Sequence, residues 1–330
     1  MSCYVTNFES LLLKLKNRAS FYFLDLRLCK WVVCKDFIAD QKICEGFYFA
    51  GNRRWLLVSL RIFCYNQTMQ RRPFHMMEEV RLFLERIGMD PDMKIELTVD
   101  LLSQVQQHCV THIAYENLDI LAGKSLQLDW DSIFDKIVRQ KRGGYCFELN
   151  GLLTDMLRLM GFHATERFAR FLLGEREAPM RRHRVTVVHL PDGDYLMDIG
   201  VGIIAPRQPL KLEKDTVQQM NGESYRFTRD LRHGWVLWQL RGRIWHQYIC
   251  FNDDMAYPVD FVQPSFYCEK HPDSPFNKDY MLSIKTEKGR RTIDGRCYKE
   301  FEGEELVCIE ENLSEETLKE RMRSVFFLNV

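Results

Sequence analysis

Between Met77 and Gly161, apolar residues recur at the spacing of helices with one buried face. The periodicity predicts four amphipathic helices, over residues 80–87, 101–105, 130–138 and 149–160. Gly88 and Gly161 follow the first and the last of them, at the position where glycine commonly ends a helix. Asp129 precedes the third as an expected N-cap. We therefore predict a compact helical bundle over residues 77–161.

After Gly161 the pattern changes to that of β-strands. Residues 185–190 and 195–199 flank Pro191-Asp192-Gly193-Asp194, which predicts a β-hairpin. Further strands are expected at 234–240, 243–250, 281–286 and 290–293, and a closing helix at 314–324. Helices followed by strands indicate a mixed fold of the α/β (α+β) class.

Charge and cysteine content exclude several classes of protein. The 330 residues include 46 basic and 46 acidic side chains, so we expect no nucleic-acid partner and no membrane surface held by bulk charge. The eleven cysteines form no CxxC pair, which argues against a zinc site and a secreted disulfide framework. No run of 18 apolar residues and no usual signal peptide occur, so we expect a reducing, cytoplasmic location and no metal.

One cysteine has the surroundings of a nucleophile. Gly143-Gly144 form a turn that delivers Cys146 to the first turn of the helix over 149–160. Unpaired N–H groups and the positive end of the helix dipole favour a thiolate there. Because the thiolate is the reactive form, this placement predicts covalent catalysis by Cys146.

A catalytic cysteine needs a base and a group that orients the base, and the predicted hairpin offers two histidines for one carboxylate. Alternation puts His183 and His189 on the strand face that Asp198 shares across the ladder. If Asp192-Gly193 is the two-residue turn, His189 lies one diagonal from Asp198 and His183 lies beyond the pairing. Spacing alone leaves both open and leans to His189.

Four segments occur in the order found in one enzyme family. They are residues 142–150 around Cys146, residues 114–119 (Ala-Tyr-Glu-Asn-Leu-Asp, similar to a Pro-Phe-Glu-Asn-Leu marker), residues 182–185 (Arg-His-Arg-Val) and residues 197–202 (Met-Asp-Ile-Gly-Val-Gly, similar to an Asp-x-Gly-Phe-Gly segment). Residues 271–276 also look like a family segment. In these segments, and in order and spacing over residues 77–330, the chain resembles the arylamine N-acetyltransferases, including N-hydroxyarylamine O-acetyltransferases.

The resemblance implies a ping-pong acetyltransferase. Cys146 would accept the acetyl group of acetyl-CoA, His183 would act as base and Asp198 would orient it. The family pattern thus selects His183, against the hairpin count. The acceptor would be a small arylamine, hydrazine or N-hydroxyarylamine. Val201 stands where the family usually has Phe in the acceptor pocket, which puts a preference for flat aromatic amines in question.

Acetyl-CoA is the implied acyl donor, and no metal cofactor is implied. The resemblance assigns the stretch 179–182 to the acyl end of the pocket, with Met180, Arg181 and Arg182 as CoA contacts. Because CoA carries phosphates, Arg142 and Arg184 are further candidates for contacting it. The sequence predicts no particular oligomeric state.

The family resemblance implies three structural parts with a cysteine-protease-like catalytic core. They are an N-terminal helical bundle with the nucleophile (76–161), a central β-barrel-like domain with His183 and Asp198 (162–265) and a C-terminal α/β lid (266–330). Residues 1–75 are an atypical extension that resembles nothing in the family. Either they are a regulatory extension, or translation starts at Met76 or Met77, which we favour.

Other functions remain compatible with the same residues. A papain-like or transglutaminase-like hydrolase also uses Cys, His and Asp or Asn with the cysteine at a helix N-terminus. An amide synthase of the same fold would take its acyl group from a carrier, and Val201 would suit its wider acceptor channel. An interaction protein that kept the fold without the chemistry is the non-enzyme alternative, against which the complete Cys146, His183 and Asp198 set argues.

Overall fold

The structure is a computed structural model that describes most of the chain after residue 72. It describes the backbone of residues 20–26, 29–35, 38–39, 42–43, 47–51, 54–57, 73–172 and 179–330, and side chains from Met77 onward within the last two ranges. The chain divides into two compact units, Met1–Phe74 and His75–Val330. Our expectations for the start of the chain lie largely outside the described residues.

The first unit contains two antiparallel sheets. One has the order β1-β2-β5-β6 and the other pairs β3 with β4. The strands are β1 (Ser20–Leu26), β2 (Cys29–Lys35), β3 (Ile38–Ala39), β4 (Lys42–Ile43), β5 (Phe47–Gly51) and β6 (Arg54–Leu57).

The predicted helices are present around the expected apolar faces. They are α1 (Pro73–Arg86), α2 (Val99–His112), the short α3 (Leu118–Leu121), α4 (Trp130–Phe134) and α5 (Cys146–Leu159). Gly88 and Gly161 have φ of +71° and +101°, which confirms that glycine ends α1 and α5. The Asp129 side chain accepts a hydrogen bond from Ser132 N at 3.0 Å and caps α4 as predicted.

The third predicted helix is less regular than its pattern indicates. After α4 the chain continues as a π-helical turn over Asp135–Arg139. In this turn the carbonyl of Ile137 accepts a hydrogen bond from Arg86 Nε at 2.9 Å, a side-chain contact from another helix. Such wide turns tend to occur where a side chain intervenes in the helical hydrogen bonding, which apolar spacing alone does not reveal.

An eight-stranded antiparallel sheet follows α5 in the order β10-β9-β8-β7-β14-β13-β12-β11. Its strands are β7 (His163–Phe171), β8 (His183–Leu190), β9 (Gly193–Met197), β10 (Leu210–Lys211), β11 (Val217–Met220), β12 (Glu223–Asp230), β13 (Gly234–Arg241) and β14 (Ile244–Phe251). The Gln218 amide on β11 bonds both the N–H and the carbonyl of Lys211 on β10, each at 2.8 Å. Because these are the outermost strands of the sheet, the bonds draw its edges together into a barrel-like form.

The hairpin of β8 and β9 forms as expected, but its register differs from our count. Leu190 pairs with Gly193 and Thr186 with Met197, so the turn is Pro191-Asp192 and not Asp192-Gly193. Continuing this register by one residue sets Asp198 opposite Val185. His183 is then its diagonal neighbour, and the sequence-based preference for His189 was wrong.

The C-terminal part of the chain, for which we predicted a lid, adds another antiparallel sheet with helices. Its elements are α6 (Val262–Lys270), β15 (Met281–Lys285), β16 (Gly289–Asp294), β17 (Cys297–Glu302), β18 (Glu305–Glu310) and α7 (Glu315–Ser324). Asn117 joins the lid to the bundle: its amide nitrogen donates to the carbonyls of Phe276 and Asp279, and its oxygen accepts from Met281 N. Among the helices of the described ranges, none is long and apolar enough to cross a membrane.

Candidate active site

Cys146 lies at the first position of α5 and is almost completely buried, with 1% of its surface exposed. Tyr145 N, just before it, donates to Glu148 Oε2 at 3.1 Å, half of the capping-box arrangement that starts a helix. A Cβ at Gly143 would lie 2.3 Å from the carbonyl oxygen of Ala114, so only glycine allows this close approach. The glycine turn therefore sets the position of the cysteine as predicted.

Residues 114–116, at the start of the segment that resembles the family marker, support the loop before Cys146. Glu116 N donates to the carbonyl of Gly144 at 2.9 Å, and Gly144 N donates back to the carbonyl of Ala114 at 3.3 Å. The Glu116 carboxylate accepts a hydrogen bond from Arg142 Nη2 at 3.0 Å. The segment thus supports the nucleophile loop through backbone pairing and one ion pair.

His183 and Asp198 form a buried pair. His183 Nε2 lies 2.7 Å from Asp198 Oδ2, and neither residue has measurable exposure. The other ring nitrogen, Nδ1, is buried without a hydrogen-bond partner among the described residues. Because the carboxylate can only accept, it holds the proton on Nε2 and leaves Nδ1 with a free lone pair.

The backbone brings this pair to the cysteine. Cys146 Sγ lies 3.8 Å from the carbonyl oxygen of Arg182, the residue directly before His183. On the other side, a Cβ at Gly200 would lie 2.8 Å from Cys146 Cα, so the loop after Asp198 passes directly against the start of α5. The structure therefore gathers all three predicted catalytic residues in one place.

Asn150 is a part of the site that our sequence reasoning missed. Its amide nitrogen donates to Asp198 Oδ1 at 2.8 Å, and its oxygen accepts from Ile199 N at 2.9 Å. Gly200 N donates to the same Asp198 oxygen at 2.9 Å. The spacing of Asn150 four residues after Cys146, on one helix face, is the signal that could have revealed it.

Burial reverses our expectation for the cysteine's ionisation. It raises the pKa of the Cys146 thiol well above its ordinary value, and the nearby Cys268 and Asp198 raise it further. A hydrogen bond from Phe147 N at the helix start acts in the opposite direction but is outweighed. The predicted preference for thiolate was therefore wrong for the thiol taken alone. Removing the thiolate from water destabilises it by more than the helix N-terminus stabilises it.

Cys268 on α6 is a second residue that the sequence did not single out. It is 1% exposed and belongs to the same apolar cluster as Cys146, together with aromatic side chains of Tyr145, Phe147, Phe261 and Phe276. Burial raises its pKa to about 11. The nucleophile is therefore enclosed by apolar groups and by another protonated thiol.

His189 has a different role from that suggested by the hairpin count. Its Nδ1 bonds Asp194 at 2.7 Å and its Nε2 bonds the Thr165 hydroxyl at 2.8 Å, so both ring nitrogens are occupied. Its ring lies 4.5 Å from that of His163. Both hydrogen-bonding groups of this histidine near the surface are therefore occupied, so it has a structural role.

The predicted CoA contacts fall into two groups. Arg142 pairs with Glu116, and the buried Arg184 pairs with Glu166 and donates to the Phe147 carbonyl at 3.1 Å. Both guanidinium groups are therefore already paired with a carboxylate, and Arg184 is buried while Arg142 is half-buried. A contact of either arginine with phosphate stays a prediction.

The other three predicted CoA contacts, residues 180–182, directly precede His183 in the chain and are at least partly exposed. Met180 and Arg181 are exposed, and Arg182 is half-buried.

Val201, which we expected in the acceptor pocket, is buried within the main core, with 8% of its surface exposed. No group of three or more potential metal-ligating side chains occurs in the part of the chain that the structure describes.

Comparison with known proteins gives one consistent result. A family model described as N-acetyltransferase matches residues 98–330. The arylamine N-acetyltransferase of Mycolicibacterium smegmatis is 33% identical over 220 residues, which are 65% of this chain and 79% of that protein. The arylamine N-acetyltransferase / N-hydroxyarylamine O-acetyltransferase of Salmonella typhimurium is 32% identical over 171 residues, 52% of this chain and 60% of that protein.

Solved structures agree with the sequence matches. The arylamine N-acetyltransferase from Salmonella typhimurium superposes with a TM-score of 0.73 at 26% identity, covering 76% of this chain and 92% of that one. The Mycobacterium marinum arylamine N-acetyltransferase in complex with CoA gives 0.71 at 28% identity, covering 76% and 93%. These neighbours share the mixed α/β fold with its barrel-like sheet.

Proposed function

This chain belongs to the arylamine N-acetyltransferase family of acyltransferases, and on that premise we propose that it acetylates arylamines, hydrazines or N-hydroxyarylamines by a ping-pong reaction through Cys146. The observation that carries the proposal is the free Nδ1 of His183, held by the Nε2 bond to Asp198 beside the start of α5. A buried nitrogen with an unused lone pair is suited to take a proton from a thiol.

In the first half-reaction the Cys146 proton moves to His183 Nδ1. The sulfur then attacks the thioester carbonyl of acetyl-CoA, a new carbon–sulfur bond forms, and the bond from carbon to the CoA sulfur breaks. The leaving CoA sulfur takes the proton from the imidazolium. In the second half-reaction the acceptor nitrogen or oxygen attacks the acetyl carbon, its proton passes to His183, and Cys146 leaves with that proton.

The raised pKa of the thiol supports this order of events. Because burial disfavours a thiolate without a counter-charge, ionisation of Cys146 requires that the proton go to a neighbour that becomes positive. A buried imidazolium beside Asp198 is such a neighbour, since the carboxylate stabilises it. The cysteine and the histidine would therefore ionise together as a pair.

Asn150 and Gly200 would keep Asp198 in place during both half-reactions. Their two N–H groups donate to Oδ1 and leave Oδ2 for the histidine. Fixing the carboxylate fixes the tautomer and the orientation of the ring. We assign both as positioning residues, which act through Asp198 and do not touch the substrate.

The donor site would lie on the exposed stretch directly before His183. Arg181 and Arg182 supply positive charge for phosphate oxygens, and the exposed Met180 supplies an apolar surface. Arg181 Nη2 can donate to the Asn252 amide oxygen at 3.0 Å, which steadies the side chain without removing its charge. The apolar cluster around Cys146 would exclude water and so protect an acetyl-enzyme from hydrolysis.

The test is transfer activity with acetyl-CoA and one acceptor of each class, an arylamine and a hydrazide. We expect Cys146→Ala and Cys146→Ser to abolish turnover while the circular dichroism spectrum and melting temperature stay close to those of the parent. An Ala variant that kept a tenth of the activity would contradict covalent catalysis. Hydrolysis of acetyl-CoA that is unaffected by added amine would favour the cysteine-hydrolase alternative.

A further inference from the structure

A cavity lies away from the catalytic residues, between helices α1 and α2 and strands β15 and β16. It has a volume of about 610 Å³, and none of Cys146, His183 and Asp198 lines it. Its walls include side chains from α1, α2, β15, the loop before α5 and the chain after α7; among them are Arg86, His108, His112, Lys141, Lys285 and Phe327. A volume of this size accommodates a small organic ligand.

Backbone strain is concentrated at this cavity. Five non-glycine residues of the described ranges have a left-handed φ, and three of them are Asp or Asn, which tolerate it. The other two are Lys141 (φ +54°) and Phe327 (φ +56°), and both line the cavity. Asn329 N donates to the Lys141 carbonyl at 3.3 Å and so links the two strained segments. Strain of this kind tends to occur at ligand sites.

The cavity also holds a guanidinium without a carboxylate partner in the described ranges. Arg86 donates only to backbone carbonyls, to Ile137 from Nε, to His112 from Nη1 and to Arg142 from Nη2, at 2.6 to 3.2 Å. Two of its five N–H groups take no part in these bonds. Burial lowers its pKa to about 10, and the nearby Cys109 offsets this only in part.

Other charges in the wall do not cancel this one. Lys285 is paired with Glu223 and Arg291 with Glu300, so both are already neutralised. Two acids, Glu85 and Glu287, also line the cavity, but both are exposed and water solvates them. Lys141 is exposed and forms no ion pair with any residue described. The interior therefore favours an anion.

The walls present flat aromatic surfaces for the remainder of a ligand. The rings of His108 and His112 stack with centroids 5.4 Å apart and planes 16° apart. Phe327 is 51% exposed although it lines a cavity, so much of its ring has no protein contact. Flat rings of this kind bind another ring by stacking or edge contacts.

We propose that this cavity is a second ligand site that takes a small aromatic anion, with the ring against Phe327 and the anionic group at Arg86 and Lys141. The inference does not depend on the acetyl-transfer reaction. It follows from a cavity of ligand size, two strained residues at its wall, an uncompensated guanidinium and an exposed aromatic ring.

The test is equilibrium binding of 1-naphthyl phosphate to the full chain by calorimetry, with CoA present at saturating concentration so that a donor phosphate site is filled. The probe carries no amine and cannot be acetylated on nitrogen. We expect one molecule to bind per chain, and we expect neither neutral 1-naphthol nor (1-naphthylmethyl)trimethylammonium to compete with it.

Variants locate the probe in the cavity. Lys141→Gln should raise the Kd about tenfold, as loss of one charge-assisted hydrogen bond does. Phe327→Leu should raise it about fivefold through loss of ring contacts. Lys94→Gln, at an exposed lysine outside the cavity, is the matched control and should leave the Kd unchanged. Because Lys141 and Phe327 are exposed, the variants should keep the parent's melting temperature.

Three results would overturn the proposal. They are absence of binding to the parent chain, equal affinity in the parent and both cavity variants, and competition by the neutral or the cationic probe as strong as that of the phosphate itself. The first two would remove the site, and the third would remove its preference for an anion.

Discussion

Two histidine–aspartate pairs on or directly after the β8–β9 hairpin have the same hydrogen-bond length but differ in burial and in the partner of the second ring nitrogen. His183–Asp198 and His189–Asp194 are both 2.7 Å apart. The side chains of the first pair have no exposure, whereas those of the second are 25% and 49% exposed. Chemically matched pairs on one hairpin thus experience a dry environment in one case and a wet one in the other.

The second ring nitrogen separates the pairs further. In His189 it bonds the Thr165 hydroxyl, but in His183 it has no partner within the described ranges. A histidine with both nitrogens occupied is a structural group, and one with a buried free nitrogen can exchange a proton. The comparison teaches that distance to a carboxylate does not distinguish the two histidines, whereas burial and the hydrogen bonding of the other ring nitrogen do. On these two criteria we propose His183 as the catalytic histidine.

The largest expected difference is in turnover when each histidine is replaced. His183→Gln should lower kcat/KM for acetyl transfer by a factor of about 10³, since it removes the proton acceptor. His189→Gln, the matched control on the same strand, should stay within about twofold because that ring touches no reacting atom. Steady-state assays of the two variants side by side measure this, and similar losses in both would remove the distinction.

Replacing the two carboxylates should give the same ranking with a smaller effect. Asp198→Asn keeps the size of the side chain but offers the histidine a different hydrogen-bond partner, so kcat should fall about 10²-fold. Asp194→Asn should leave kcat close to that of the parent. If Asp198→Asn retained full kcat, the carboxylate would have no role in orienting His183.

The pH dependence of cysteine alkylation sharpens the comparison. Burial raises the pKa of the Cys146 thiol, so without a proton acceptor the thiolate appears only at higher pH. His183→Gln should therefore move the iodoacetamide rate profile of Cys146 upward by more than about one pH unit. His189→Gln should leave the profile where it is. A downward shift in the His183 variant would contradict the paired ionisation.

The smallest expected differences are in stability. Asn150→Ala removes hydrogen bonds to Asp198, to Ile199 N and to the Arg184 carbonyl, all buried, and should lower the free energy of unfolding by about 2–3 kcal/mol. In the exposed pair, Asp194→Asn should lower the free energy of unfolding by less than about 1 kcal/mol. Urea unfolding monitored by circular dichroism compares them. Equal losses of stability in the two variants would mean that the buried hydrogen bonds around Asp198 contribute no more than the exposed His189–Asp194 pair.

The sequence predicted the fold best where one period dominated. The apolar patterns predicted helices α1, α2 and α5 and strands β13 to β16 close to where they form. Strand β7 was missed because most of its residues are buried on both faces, which removes the alternation of a half-buried strand. Residue types within it gave no other signal.

Prediction of the site was limited by register and by tertiary packing. Pro191-Asp192 and Asp192-Gly193 are both good turn formers, yet choosing one or the other decides which histidine lies beside Asp198. Burial of Cys146 depends on α6 and Phe276, which are distant in sequence, so the local helix dipole predicted the wrong direction for the change in its pKa. Motif resemblance corrected the histidine choice but carried no information on burial.

The most direct test of the central claim is the intact mass of the protein after incubation with acetyl-CoA alone, followed by peptide mapping. The account predicts one acetyl group, located on Cys146, that disappears when an arylamine or hydrazine is added. It predicts no adduct at this position in the His183→Gln variant over the same time and the parent's adduct in His189→Gln. An unmodified Cys146 in the parent, still rapidly alkylated by iodoacetamide, would contradict an acetyl-cysteine intermediate and leave a reactive thiol that takes its acyl group from another donor.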